Sequence, residues 1–236
     1  MLKTRVGHRD TVRPTMLSIV IPTLNAADGL ASTLSSLTVW PGPIERIIAD
    51  GGSTDTTLQI ATDFGAHIVT AEPGRGSQLA TGATAAKGEW LLFLHADTTL
   101  SPNWPEAAQM LMAQPELRAG YFRFRLNDAS PQARIWENRI AWRCQKWGLP
   151  YGDQGLLISR THYDMVGGYK PIPLMEDVDL VRRLGPGGLM PLEADAMTSA
   201  RKFQRDGYWW RSTRNVTCLS LYFLGFPPLW LKRLYG

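Results

Sequence analysis

The chain has 236 residues, of which 44% are hydrophobic and 19% charged. That composition suits one large α/β domain with a sizeable core, and the low charge leaves room for apolar surface patches. Two cysteines, Cys144 and Cys218, lie far apart with no metal-ligand spacing, which excludes a disulfide framework and fits a reducing cytoplasm. The formal net charge of +4 is uneven: residues 196–236 carry seven basic residues and one acid, Asp206. No recognised nucleic-acid motif accompanies that basic tail, so nucleic acid is not an expected partner.

Residues 1–15 carry Lys3, Arg5, Arg9, Asp10 and Arg13 and no apolar run, as expected of a mobile arm and not of a signal peptide. Leu17–Pro22 (LSIVIP) is a short apolar run rich in β-branched residues and predicts a buried strand. Asp28 is placed to cap a helix over about 29–38, and Pro41-Gly42-Pro43 breaks the chain. Ile44–Ala49 predicts a second strand, ending at Asp50-Gly51-Gly52. Ser53-Thr54-Asp55 opens a helix to about Phe64, and His67–Thr70 predicts a third strand. Pro73-Gly74-Arg75-Gly76 turns into a helix of small residues over 77–87. Glu89–His95 predicts a fourth strand, and a helix follows Asn103.

Strands alternating with helices at this spacing predict a parallel sheet with right-handed crossovers. Ligands of such sheets bind outside the carboxyl ends of the strands. Those ends read Thr23-Leu24-Asn25, Asp50-Gly51-Gly52-Ser53, Gly74-Arg75-Gly76 and His95-Ala96-Asp97. Beyond residue 115 the pattern changes. Ala119–Leu126 alternates apolar and basic and predicts a half-exposed strand; 131–147 reads as an amphipathic helix, Leu156–Ser159 as a strand and Leu174–Leu184 as a helix. There is no internal repeat and no clean domain boundary.

Several of these residues suit chemistry. Asp97 ends an apolar strand, and a carboxylate there suits Mg²⁺ or Mn²⁺, which take oxygen ligands and share substrate phosphates; an Asx turn is the simpler reading. Glycines at 51 and 52 permit close backbone approach, Ser53 and Thr54 can cap the next helix, and Asp50 could accept from a base or ribose. Arg75 opposes its helix dipole, which points to a ligand anion. Glu176, Asp177 and Asp179 form the densest acidic cluster, and a carboxylate facing a cleft can take a proton from an attacking hydroxyl. Asp153-Gln154 is a polar pair before a strand, and Arg201-Lys202 could bind a diphosphate.

In this order the pieces resemble family 2 glycosyltransferases of the GT-A fold, from about Leu17 to Arg205. The resemblance rests on Pro22-Thr23-Leu24-Asn25, Asp50-Gly51-Gly52-Ser53-Thr54-Asp55, Gly74-Arg75-Gly76, His95-Ala96-Asp97-Thr98, Gly152-Asp153-Gln154 and Met175-Glu176-Asp177-Val178-Asp179-Leu180. It is closest to a bacterial subgroup of small single-domain members. The resemblance implies an α/β GT-A fold with a mostly parallel central sheet, a nucleotide-diphosphate sugar donor, UDP by family frequency, and a divalent metal, Mn²⁺ or Mg²⁺. It implies a nucleotide half (about 16–115) and an acceptor half (about 116–205). His95-Ala96-Asp97 stands at the family's Asp-x-Asp motif, with Asp97 on the metal. Asp50 and the Pro22–Asn25 turn would hold base and ribose, with Gly51, Gly52, Ser53, Arg75, Gly76 and Gln78 beside them. Glu176 and Asp177 match the Glu-Asp motif, with Asp177 as general base of a one-step inverting transfer. Asp153, Gln154, Gly168, Arg201 and Lys202 would face the acceptor or the diphosphate.

The chain departs from the family at His95, the first Asp-x-Asp position, and at Ala26, where many members carry an acid. Those departures favour an alternative, a nucleotide-binding or scaffold protein on a degenerate transferase fold. A sugar-phosphate nucleotidyltransferase is disfavoured, because the first strand runs into Pro-Thr-Leu-Asn and not a glycine-rich, arginine-bearing loop. Residues 206–236 interleave aromatic and basic residues, which suits a membrane surface or a lipid-linked acceptor. A helix pair packed on the domain, or a homodimer contact, would use the same residues. A cytoplasmic protein, peripheral at the inner face of the membrane, is the expectation.

Overall fold

The structure, a computed structural model, describes residues 15–114, 116–201, 205 and 207–235. The expected arm over 1–15 and the expected site residue Lys202 lie outside them, Thr15 apart.

The described strands form one eight-stranded sheet. Four lie before residue 94: β1 (Leu17–Thr23), β2 (Ile44–Asp50), β3 (His67–Thr70) and β4 (Trp90–Phe93). They pair in parallel in the order β3-β2-β1-β4. All seven residues of β1 are buried, as a central strand covered on both faces requires. Helices α1 (Ala27–Ser36), α2 (Thr57–Asp63) and α3 (Arg75–Ala85) make the crossovers. The remaining strands are β5 (Thr98–Leu100), β6 (Ala119–Leu126), β7 (Leu156–Ser159) and β8 (Leu189–Thr198). They extend the sheet beyond β4 as β7-β6-β8-β5, with β7 antiparallel to both neighbours and β6 parallel to β8. The parallel sheet expected from the first half is therefore joined to a mixed one.

Further helices are α4 (Trp104–Met112), α5 (Pro131–Trp147), α6 (Arg160–Met165), α7 (Glu176–Leu184), α8 (Tyr208–Phe223) and α9 (Pro228–Tyr235). Two core clusters flank the sheet. One gathers Leu30, Leu34, Trp104 and Leu111 over one face; the other gathers Leu79, Ala83, Tyr163 and Leu180 over the opposite one.

Two helix starts differ from expectation. Asp28 sits in the first turn of α1 and makes no cap bond. Helix α2 begins at Thr57, later than Ser53, and the side chain that bonds its first turn is Asp55, whose Oδ1 accepts from Thr57 N at 3.0 Å. Ser53 and Thr54 are instead drawn into the turn below, so neither caps a helix.

Candidate active site

A cleft of ≈ 870 Å³ opens at the carboxyl ends of β1 and β4, as the topology requires. Pro22, Thr23, Leu24 and Asn25, the end of β1 and its turn, form part of its wall. Asn25 takes a left-handed backbone with φ 49°, conformation space that asparagine tolerates. Its Oδ1 accepts from Thr54 N at 2.9 Å, and its own N–H donates to Ser53 Oγ at 2.9 Å. The turn after β2 thus braces the turn after β1.

Asp50, Gly51, Gly52 and Ser53, expected beside base and ribose, form the turn behind this wall, and none of them lines the cleft. Asp50 is 5% exposed. Its carboxylate accepts from Thr23 Oγ1 (2.8 Å), Gly52 N (2.9 Å), Ser53 N (2.8 Å) and Ser53 Oγ (2.5 Å). Burial pushes this carboxyl up, and the bonds from Ser53, Thr23 and Gly52 more than offset it, holding Asp50 below the usual carboxylate range. Asp50 shapes the turn. Gln78 does similar work from α3: its buried amide donates to Thr23 O at 2.6 Å and Ala49 O at 2.9 Å, tying β1 to β2 at the cleft floor.

Arg75 opens α3 and lines the cleft, its side chain 42% exposed and 3.6 Å from Glu176 Oε1. Gly76 does not line it. A Cβ there would meet Lys170 O at 2.4 Å and Ile172 O at 2.5 Å, so Gly76 lets α3 press on the 170–172 segment.

His95, Ala96 and Asp97 all line the cleft. Their turn is fixed from two sides. Thr33 Oγ1 on α1 donates to Ala96 O at 2.9 Å, and Ser199 N, after β8, donates to Asp97 O at 3.2 Å. Gly29 on α1 permits that approach, since a Cβ would stand 2.8 Å from Ala96 O.

The opposite wall is acidic. Glu176 and Asp177 open α7, after Met175 in a left-handed conformation (φ 66°), and both line the cleft. Asp177 Oδ2 accepts from Gly152 N at 2.8 Å and Oδ1 from Val178 N at 2.7 Å, which fixes the carboxylate plane. Glu176 is 2% exposed; burial first, then Asp177, raise its carboxyl to about 7 against the pull of Arg75. Asp153 also lines the cleft, and its Oδ1 is buried with no hydrogen-bond partner. Burial raises Asp153 to about 6, Arg143 opposing and Asp177 and Asp97 reinforcing it.

Two expected acceptor residues turn away from the cleft. Gln154 is 2% exposed; its Nε2 donates to Phe122 O at 3.1 Å and its Oε1 accepts from Tyr151 N at 3.3 Å, so it anchors the loop that presents Asp153. Gly168 does not line the cleft, and its carbonyl accepts from Arg183 Nη2 at 2.6 Å. Arg201 does line it, ion-paired with Asp28 at 2.8 Å.

Among the described residues no group of three His, Cys, Asp or Glu side chains stands close enough to hold a metal alone. The donor set fits Mg²⁺ or Mn²⁺ nonetheless: Asp97 and the partnerless Oδ1 of Asp153 offer hard oxygens, and these ions complete their shells with phosphate oxygens and water. Residues missed from sequence also line the cleft: Tyr151, and Asn215, Lys232 and Tyr235 from α8 and α9. The C-terminal helices therefore pack on the domain, over the cleft mouth. No local pattern could have signalled this, because the contact joins segments far apart in sequence.

Comparison with known proteins accords with this geometry. A 93-residue stretch is 41% identical to a PGL/p-HBAD biosynthesis glycosyltransferase of Mycobacterium tuberculosis (strain ATCC 25618 / H37Rv), covering 36% of each chain. The chain thus spans about a third of the length of the curated relatives it matches there. Glucosyl-3-phosphoglycerate synthase from Mycobacterium tuberculosis, solved with Mn²⁺, UDP and glucosyl-3-phosphoglycerate, superposes with a TM-score of 0.62 at 21% identity, over 90% of this chain and 81% of that one. The mannosyltransferase PcManGT from Pyrobaculum calidifontis, with GDP-Man and Mn²⁺, gives 0.63 at 18%, over 88% and 62%. Both share the fold of this chain, which is the GT-A fold. Residues 18–170 match the profile of glycosyl transferase family 2, and the chain belongs to that family.

Proposed function

We propose that the chain is an inverting glycosyltransferase moving a hexosyl group from a UDP-sugar to an acceptor hydroxyl. The observation that carries the reading is the placement of Asp177: its carboxylate is held by Gly152 N and Val178 N in the wall of the cleft that also contains Asp97. The solved relatives that hold UDP or GDP-Man together with Mn²⁺ support the donor class and the metal.

In this reading the half over about 16–115 holds the nucleotide, along Pro22–Asn25 and Arg75, and the half over about 116–205 meets the acceptor. Asp177 takes the proton from the acceptor hydroxyl. The acceptor oxygen forms the new bond to the anomeric carbon as the bond to the diphosphate breaks, with inversion. Asp97 would hold the divalent metal, which would supply charge neutralisation for the diphosphate. Glu176 keeps Arg75 at the cleft. Arg201, released from Asp28, is a second cation for the diphosphate.

Calorimetric titration with uridine, guanosine and thymidine diphosphates, each with Mn²⁺ and with EDTA, tests the reading; metal-dependent binding of UDP is expected. A donor screen then identifies the sugar. His95 and Ala26 favour the second reading, a nucleotide-binding protein without transferase activity. That reading gains if UDP binds while no donor is turned over.

The acceptor is proposed to be lipid-linked. Leu224 is 75% exposed, Leu229 59% and Trp230 65%, with Arg233 in the same helix as the last two. Among the described residues no helix is long and apolar enough to cross a membrane. An anionic bilayer surface is the proposed occupant of this face. Flotation with phosphatidylglycerol vesicles should carry the protein upward. A homodimer seated on the same face would instead appear in sedimentation and abolish flotation.

A further inference from the structure

The cleft is rich in acids. Asp97, Asp153, Glu176 and Asp177 all line it. Its cations are mostly committed: Arg75 pairs with Glu176 at 3.6 Å and Arg201 with Asp28 at 2.8 Å. Lys232 lines the same cleft from α9 and forms no ion pair with any described residue.

The surroundings of Lys232 are built. Helix α9 is seated by Leu231, 1% exposed, which leaves Lys232 and Tyr235 to line the cleft while Trp230 and Leu234 stay exposed. The Tyr235 ring lies 4.7 Å from the Arg214 guanidinium, which holds it from α8. Asn215 lines the cleft from α8, and its Oδ1 is buried without a partner. Buried polar atoms are nearly always bonded, and an amide oxygen accepts, so this orphan is completed by a donor such as a hydroxyl carried on the ligand.

From this we infer that the α8–α9 hairpin supplies a subsite for an anionic group, a phosphate or carboxylate, carried by the acceptor, with Lys232 and Tyr235 as the donors to the anion and Asn215 Oδ1 accepting from a hydroxyl of the same ligand. An ammonium and a hydroxyl together suit a phosphate or carboxylate. Lys232 and Tyr235 line the same cleft as Asp177, the proposed base. An acceptor with a negative group would otherwise be repelled by the four carboxyls. The inference rests on the transferase reading for the word acceptor and stands on its own as an anion site.

The test titrates wild type, Lys232→Gln, Lys232→Arg and Tyr235→Phe with three probes: inorganic phosphate, glycerol 3-phosphate, and farnesyl phosphate below its aggregation point. Each is run with and without saturating UDP and Mn²⁺. Wild type is expected to bind at least one probe. Lys232→Gln should weaken that binding about tenfold, Tyr235→Phe less, and Lys232→Arg should retain it, while UDP affinity stays within about twofold. Binding confined to farnesyl phosphate assigns a lipid-borne phosphate; binding of glycerol 3-phosphate assigns a soluble one. The inference is overturned if wild type binds none of the probes, if Lys232→Gln binds as well as wild type, or if Lys232→Gln loses UDP equally, which would place Lys232 on the donor. Should UDP fail to bind while phosphate binds through Lys232, the transferase reading falls and the anion site stands.

Discussion

The two walls of the cleft treat their polar groups in opposite ways. On the β1–β2 wall and in the turn behind it nearly every one is spent within the fold. Asp50 accepts from Thr23, Gly52 and Ser53; Gln78 joins Thr23 to Ala49; Asn25 is locked to Ser53 and Thr54. The α7 wall is left short. Asp153 Oδ1 is buried without a partner, Glu176 is buried with Arg75 at 3.6 Å, and both carboxyls are pushed up. The first wall holds a shape. The second carries buried polar groups short of partners, the kind of local inconsistency expected at functional sites. Substitutions should therefore fail differently on the two sides, stability on the first and chemistry on the second.

The largest effect expected is on the second wall. Asp177→Asn keeps the shape of the side chain and removes the base, so turnover should fall about a thousandfold while UDP binding holds. Wild-type-like turnover would remove Asp177 from the role. Asp97→Asn should come next. UDP affinity in Mn²⁺ should drop about a hundredfold, on the order of 3 kcal/mol, to the value measured in EDTA. Retention of the metal effect would move the metal to other residues.

On the first wall, Gln78→Ala strips the partner from Thr23 O and Ala49 O at the ends of two central strands. A loss of about 2–3 kcal/mol in denaturant unfolding is expected. UDP binding should weaken only through the loosened β1 turn. A stability change near zero with a large loss of UDP affinity would instead make Gln78 a direct ligand contact, and would blur the contrast between the walls.

This contrast also explains what could be read from the sequence. Helix α5 was legible to the residue at both ends, because Ser130 caps it, accepting from Ala133 N at 3.2 Å, and Gly148 ends it in the left-handed region. Strand β8 was not, since Pro191, Glu193 and Asp195 give it no strand signal of its own; its partner β6 lies far upstream and pairs with a register shift at Phe122/Arg123. In the cleft, Asp97, Arg75, Glu176 and Asp177 were legible as charges at strand and helix ends. Asp50, Gly76, Gln154 and Gly168, expected at the ligand, do not line the cleft and bond or pack within the fold. A motif says that a residue type is required, and leaves open whether it faces the ligand or the turn behind it. Lys232 and Tyr235 had no local signal, being brought to the cleft by packing alone.

The smallest effect separates the walls most cleanly. Glu176 has a folded-state carboxyl raised to about 7, with burial the main cause and Asp177 adding to it. A raised carboxyl favours folding while it is neutral. That contribution is complete below the ordinary carboxylate value and is lost as pH rises through about 7. Glu176→Gln stays neutral throughout, so the variant should match wild type near pH 4 and become the more stable protein by pH 8. The gap should be on the order of 1–2 kcal/mol, less than the full shift implies because Arg75 loses its partner. Asp50, held below the usual range, predicts the reverse: its contribution is present at neutral pH and lost on acidification. Unfolding curves of wild type and Glu176→Gln from pH 4 to pH 8 would show the gap opening with pH. A gap that is flat, or that closes with rising pH, would mean that Glu176 is charged and satisfied by Arg75, and the α7 wall would then be as settled as the β1–β2 wall.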